Sequence, residues 1–223
     1  RTQEVLVCST GWIGYPLPIE KIESSIPNAF ESLSSEGGLD AAKAIMTTDT
    51  VPKTVEIKKD NFTIGGIAKG AAMLEPNMAT MLAVIATDAE IDSLSATGML
   101  QDAVSASFNC LTVDGAESTN DTVLLLASGE SGPVDKSALA EALNEACKSL
   151  AIQMADDAEG STKTVFLTVT GAATDEEALK GARDTANCQL VKCSWYGEDP
   201  YWGRIAAEMG AAGIAFDPVT ITI

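Results

Sequence analysis

Short apolar runs of strand length alternate with stretches of helical period along most of the chain, and this alternation limits the folds open to it. The clearest pair begins at 122–127, a continuous apolar run read as a strand. After it, Pro133 precedes Leu139, Leu143, Ala146, Cys147, Leu150 and Met154, which give a helix one apolar face. Residues 53–58 alternate as a half-exposed strand, and 61–67 read as its hairpin partner across the Lys59-Asp60 turn. Residues 81–86 form another apolar strand, and further strands are expected at 4–8, 164–170 and 219–223. Helices are expected at 39–46, at 91–108 with a weak point at Gly98, at 175–187 with Thr174 as N-cap, and at 202–209. Ile19, Ile22, Ile26 and Phe30 also recur at helical spacing, with Pro27 arguing for a break or kink. The class that follows is α/β, with α+β as the alternative: mixed sheets packed against amphipathic helices, without repeats or low-complexity linkers.

Composition narrows the chemistry more than the fold. With 46% hydrophobic and 21% charged residues, 223 residues can bury a substantial core. The 14 basic and 32 acidic residues leave a formal charge of −18, which repels nucleic acid and anionic membrane surfaces. Solubility or a salty environment explains such acidity better than attraction of a cationic substrate. There is no histidine, so serine–histidine and cysteine–histidine triads are excluded within these residues. Any nucleophile must rely on a carboxylate, a lysine or the free amine of an N-terminal residue. Cys8, Cys110, Cys147, Cys188 and Cys193 form no CxxC pair and are an odd number, so reduced thiols are expected. No acidic set has metal-ligand spacing, and no metal is expected. With no hydrophobic leader and no apolar run near membrane-span length, the expected compartment is cytoplasmic. The sequence opens at Arg1 without methionine and closes on an apolar run, and both ends are read as places where the protein continues.

The least ordinary passage is Gly65-Gly66-Ile67-Ala68-Lys69-Gly70 followed by Pro76-Asn77-Met78-Ala79-Thr80-Met81-Leu82. Glycines with a lysine suggest a phosphate loop, but the spacing is not GxxxxGK[ST]. From pattern alone, a tight glycine turn packed against a core strand is the better reading. Other runs accompany it in a fixed order. They include Cys8-Ser9-Thr10-Gly11, Ala44-Ile45-Met46-Thr47-Thr48-Asp49-Thr50, and Asp114-Gly115 with Ser118-Thr119-Asn120-Asp121-Thr122. Farther on come Asp157-Ala158-Glu159-Gly160-Ser161-Thr162-Lys163, and Gly197-Glu198-Asp199-Pro200 with Trp202-Gly203-Arg204. Together these runs resemble the ornithine acetyltransferase (glutamate N-acetyltransferase) family of bifunctional arginine biosynthesis proteins. The resemblance covers nearly all of the chain, although family members extend further at both ends. Their C-terminal segment brings an asparagine and a hydroxyl residue to the substrate site. Local departures are Ala71-Ala72 in place of a more glycine-rich stretch and Tyr201 in place of an asparagine.

The resemblance implies a self-processing N-terminal-nucleophile enzyme of ornithine acetyltransferase/DmpA-like architecture, cut between Ala79 and Thr80. Residues 1–79 would belong to an α chain and 80–223 to a β chain, assembled as a heterotetramer of two α and two β. Thr80 would be the nucleophile, its new α-amine serving as base with a reference pKa of about 8. It would carry the acetyl group of N-acetylornithine to glutamate in a ping-pong reaction, with no cofactor. Acetyl-CoA is an additional acetyl donor in bifunctional members. Thr10 and Gly11 match the oxyanion hole, and Thr47, Lys69 and Glu159 match substrate contacts. In isolation, Thr10 reads as a turn cap and Lys69 and Glu159 as solvated charges; their places in matched motifs favour function. The Ser118 to Thr122 cluster and Asp199, Trp202 and Arg204 are read as support for site or core. Competing readings are a related amidohydrolase or aminopeptidase, with water as acceptor, and a non-catalytic truncated homologue acting as an assembly partner.

Overall fold

The computed structural model describes residues 5–75 and 81–223. Ala79 and Thr80, and with them the expected cleavage bond and nucleophile, lie outside the described residues. The elements run α1 (Ile19–Glu31), α2 (Gly38–Ala44), β1 (Lys53–Lys58), β2 (Thr63–Lys69), β3 (Leu82–Glu90) and α3 (Ser93–Ser105). They continue with a 3₁₀ turn (Phe108–Cys110), β4 (Thr122–Pro133), α4 (Lys136–Asp156), α5 (Asp175–Asn187), α6 (Gln189–Tyr196) and α7 (Gly203–Ala211).

The strands form one four-stranded sheet in the order β1-β2-β3-β4. The expected hairpin is present: Lys58 pairs with Thr63, and the Lys59 N–H donates to the Phe62 carbonyl at 2.9 Å. β2 and β3 are antiparallel, whereas β3 and β4 are parallel, Leu82 facing Thr122. A parallel pair needs a long crossover, and α3 lies within it. The register shifts between Thr87 and Ala89, and β4 runs past this irregularity to Pro133. Gly129 and Gly132 there adopt φ of 77° and 73°, which other residues adopt at a cost.

The core lies on one face of the sheet. α4 lays Leu139, Leu143, Ala146, Cys147, Leu150 and Met154 over Ile57, Ile64, Ala68, Ala83 and Ile85, as its apolar spacing implied. α3 packs beside α4 and contributes Ala103. A smaller cluster joins α5, α6 and α7, where Val191, Met209 and Ala212 are buried. Arg204 there donates to the Ser194 hydroxyl (2.7 Å) and the Leu190 carbonyl, tying α7 to α6.

Several expectations fail, the strands among them for lack of a pairing partner. The described part of 4–8 is irregular, with Val5, Leu6 and Val7 at least half exposed, and neither 164–170 nor 219–223 joins a ladder. Strand propensity becomes a strand only beside another strand, and among the described residues these segments have none. α1 continues through Pro27, which forfeits one helical hydrogen bond, and its Ile19, Ile22, Ile26 and Phe30 stay exposed. α6 was not anticipated as a separate helix; it follows α5 directly, with Cys188 in extended conformation between them.

Candidate active site

β2 ends at Lys69, which is only 3% exposed, and the chain then turns at Gly70 with φ of 153°. A Cβ on Gly70 would lie 2.6 Å from the Met154 methyl, so the turn is pressed against α4. The Gly70 N–H donates to Asp49 Oδ1 at 2.7 Å, and the same oxygen accepts from Lys53 Nζ at 2.6 Å. The other oxygen, Oδ2, accepts the Thr47 N–H at 3.1 Å. Lys53 is fully buried and also pairs with Asp157, just beyond the last residue of α4. Asp157 in turn accepts the N–H of Thr50 at 2.8 Å, that of Val51 at 3.4 Å, and the Thr50 hydroxyl. Two residues on, the Glu159 N–H donates to the Ala71 carbonyl at 2.7 Å.

This Asp49–Lys53–Asp157 network joins the loop of Thr47, the end of β2 and the C-terminal end of α4. Burial alone would raise the Asp49 carboxyl, but the Lys53 ammonium and the N–H groups of Gly70 and Thr47 outweigh it and hold it below its ordinary value. Burial likewise acts against the Asp157 charge, yet Lys53 and the Thr50 donors bring its pKa down to about 2. Burial depresses the Lys69 ammonium, with Lys53 acting in the same direction and Asp49 and Asp121 opposing.

Met81, just after Thr80 in sequence, is also held. Asp121 Oδ1 accepts the Met81 N–H at 2.7 Å, and the Thr122 N–H donates to the Met81 carbonyl at 3.0 Å. Asp121 Oδ2 is buried without a hydrogen-bond partner among the described residues, and burial raises this carboxyl to about 6 against the pull of Met81 N–H and Lys69. On the upstream side, Asp114 accepts the N–H groups of Met73 (2.5 Å) and Leu74 (3.1 Å), while Val113 N–H donates to the Leu74 carbonyl at 2.7 Å. One loop, 113–121, therefore grips the chain both before and after the stretch that contains Thr80.

Of the residues singled out in the sequence, Thr47, Lys69 and Glu159 lie on segments joined by hydrogen bonds, with Thr47 and Glu159 exposed. Thr10 (half-buried) and Gly11 (exposed) sit in the coil before α1; among the described residues no hydrogen bond links them to the other three. A cavity of about 410 Å³ is bordered by Val113, Glu159, Lys163, Arg183 and Tyr196; of Thr10, Gly11, Thr47, Lys69 and Glu159, only Glu159 lines it. A smaller one of about 200 Å³ takes in Asp121, Met81, Leu74 and Phe108. Lys53 carried no expected role, and Asp121 was expected only as part of the supporting Ser118 to Thr122 cluster. The signal for Lys53 was its i,i+4 spacing from Asp49; the bond of Asp121 to Met81 becomes visible only once β3 and β4 are in register. No group of three or more acidic or cysteine side chains among the described residues is placed to hold a metal ion.

A mixed sheet covered on one face by helices, with a buried ionic network at one end, defines an α/β domain, as expected. Within that class the chain belongs to the ArgJ family, whose model matches residues 1–223. It is 49% identical over 224 residues to the arginine biosynthesis bifunctional protein ArgJ of Mycolicibacterium paratuberculosis, covering 99% of this chain and 55% of that protein. It is 45% identical over 221 residues to the protein of the same name from Streptomyces coelicolor, covering 99% of this chain and 58% of that one. The crystal structure of ArgJ from Bacillus halodurans superposes with a TM-score of 0.56 at 40% identity, over 58% of this chain and 64% of that one. The chain thus spans little more than half the length of the relatives it matches. The family resemblance drawn from the motifs holds.

Proposed function

We propose that this chain is part of an acetyltransferase of arginine biosynthesis that moves the acetyl group of N-acetylornithine to glutamate through an ester on Thr80. The observation that carries this reading is the buried network that draws together the segments of Thr47, Lys69 and Glu159. A lysine and a glutamate on adjoining segments suit a zwitterionic amino acid, with Lys69 toward its α-carboxylate and Glu159 toward its amino group. Membership of the ArgJ family supports the reaction.

In this reading the Ala79–Thr80 bond is cut first, dividing the chain into 1–79 and 80–223, and the Thr80 α-amine is freed. Thr80 Oγ then attacks the acetyl carbonyl and gives its proton, through that amine, to the departing ornithine nitrogen. The amine of glutamate attacks the ester in the second half, and the hydroxyl is restored. Thr10 and Gly11 would donate to the oxyanion in both halves, each donor being worth on the order of 100- to 1000-fold in rate. Acetyl-CoA would load the same threonine. A histidine-free chain is suited to this scheme, because nucleophile and base come from one residue. A cytoplasmic heterotetramer of the two fragments completes the proposal.

Intact-mass spectrometry of the purified full-length protein tests it, wild type against Thr80→Ala. Two fragments with a new terminus at Thr80 are expected in the wild type and a single uncut chain in the variant. Fragments in both, or in neither, exclude Thr80 as the self-cleaving nucleophile.

A further inference from the structure

Lys53 matches no substrate-contacting position and takes no part in the reaction just outlined, yet it is fully buried between two carboxylates. Burying three charged groups is a poor way merely to fill space, since apolar side chains of similar volume do so with less desolvation. Directed hydrogen bonds are what ions add here. Asp49 spends its two oxygens on Lys53, the Gly70 N–H and the Thr47 N–H, and Asp157 fastens Thr50 and Val51. Lys53 makes these two anchors one object. Thr47 donates its own N–H to the network, Lys69 precedes Gly70, and Glu159 follows Asp157 by two residues with its N–H on Ala71. Thr47 and Lys69 precede the expected cut and Glu159 follows it, so their spacing cannot depend on the peptide bond that cleavage removes.

We propose that Lys53 is a positioning residue for the substrate site: through Asp49 and Asp157 it sets Lys69 and Thr47 at a fixed distance from Glu159 across the two fragments. The proposal rests on the reading of those three residues as substrate contacts. Lys53 touches no reacting atom. Its effect is on where the amino-acid substrate is held, so its loss weakens ground-state binding more than it slows the chemistry of bound substrate.

The test uses full-length protein carrying Lys53→Met, which keeps the length of the side chain and removes its charge, beside Lys53→Arg and the core control Leu150→Ala. Self-cleavage is followed by intact mass, and KM and kcat are measured for acetyl transfer from N-acetylornithine to glutamate. Lys53→Met is expected to cleave and to raise both KM values about tenfold or more, with kcat changed less than about threefold. Lys53→Arg is expected to recover most of the loss, and Leu150→Ala to lower the melting temperature with both KM values unchanged. KM values in Lys53→Met that match the wild type, or shift no more than in Leu150→Ala, overturn the proposal. Should Lys53→Met fail to fold, Asp157→Asn takes its place: the same KM shift supports the proposal and wild-type KM values overturn it. Wild-type protein that neither cleaves nor transfers acetyl removes the functional reading and this inference together, an outcome distinct from an active wild type beside an unaltered Lys53→Met.

Discussion

Asp121 and Asp157 are carboxylates with opposite environments, and their titrations should push stability in opposite directions. Burial raises Asp121 to about 6, the Met81 N–H and Lys69 compensating only in part. The folded state therefore holds a proton there that an unfolded chain releases near 3.8. The contribution is fully present below that value and is lost as pH rises through about 6. Asp157, lowered to about 2, behaves conversely: its contribution is present above 3.8 and is lost as pH falls through about 2. Asp121→Asn keeps an acceptor for Met81 but cannot ionise. Melting curves from pH 4 to 7 should show it more stable than wild type at pH 7 and equal near pH 4; an equal deficit at every pH would count against this account of Asp121. Both carboxylates stand in matched motifs, Asp121 among residues read as support, but nothing in the sequence indicated their opposite environments. Asp157 and Lys53 stand 104 positions apart, and local spacing carries no trace of such a pair. The matched motifs pointed to Thr47, Lys69 and Glu159, and hydrogen bonds join the segments on which they lie.

Among the elements, local chemistry was the readable part. Thr174 caps α5 as expected, accepting the Glu177 N–H at 3.2 Å. The β1–β2 hairpin and α4 followed from period and turn residues alone. Asp135 caps α4 by accepting the Ala138 N–H at 2.8 Å. Asp135→Ala should cost about 1 kcal/mol in denaturant unfolding, a loss that Asp135→Ser should largely restore. The strands that failed to appear, in the described part of 4–8 and at 164–170 and 219–223, show the other side. A helix satisfies its own backbone, whereas a strand needs a neighbour whose position no local window contains. α1 adds a related lesson: its spacing was right for a helix, yet none of its apolar residues is buried.

For the molecule as a whole, the α/β class was legible because alternating elements leave few ways to cover a sheet. The parallel pairing of β3 with β4 was not, since strand direction depends on where a crossover returns. The core is concentrated under α4, so truncation there should be felt throughout. Leu150→Ala, at a side chain with 0% exposure, should remove about 2–5 kcal/mol from global unfolding, measured by chemical denaturation. A loss well under 1 kcal/mol would mean that α4 is not the keystone of the sheet.

β2 and β3 are adjacent and paired, from Ile64 with Thr87 to Lys69 with Leu82, and the expected cut lies in the connection between them. Breaking that bond separates two pieces of chain but no two pieces of core: one piece keeps β1 and β2, the other β3, β4 and α4. Such a cut would be a nick inside a single folded unit, and it would change the order of the refolding reaction. An uncut chain refolds in a first-order process at any dilution, whereas a nicked one must find its complement, and its recovery should rise with concentration.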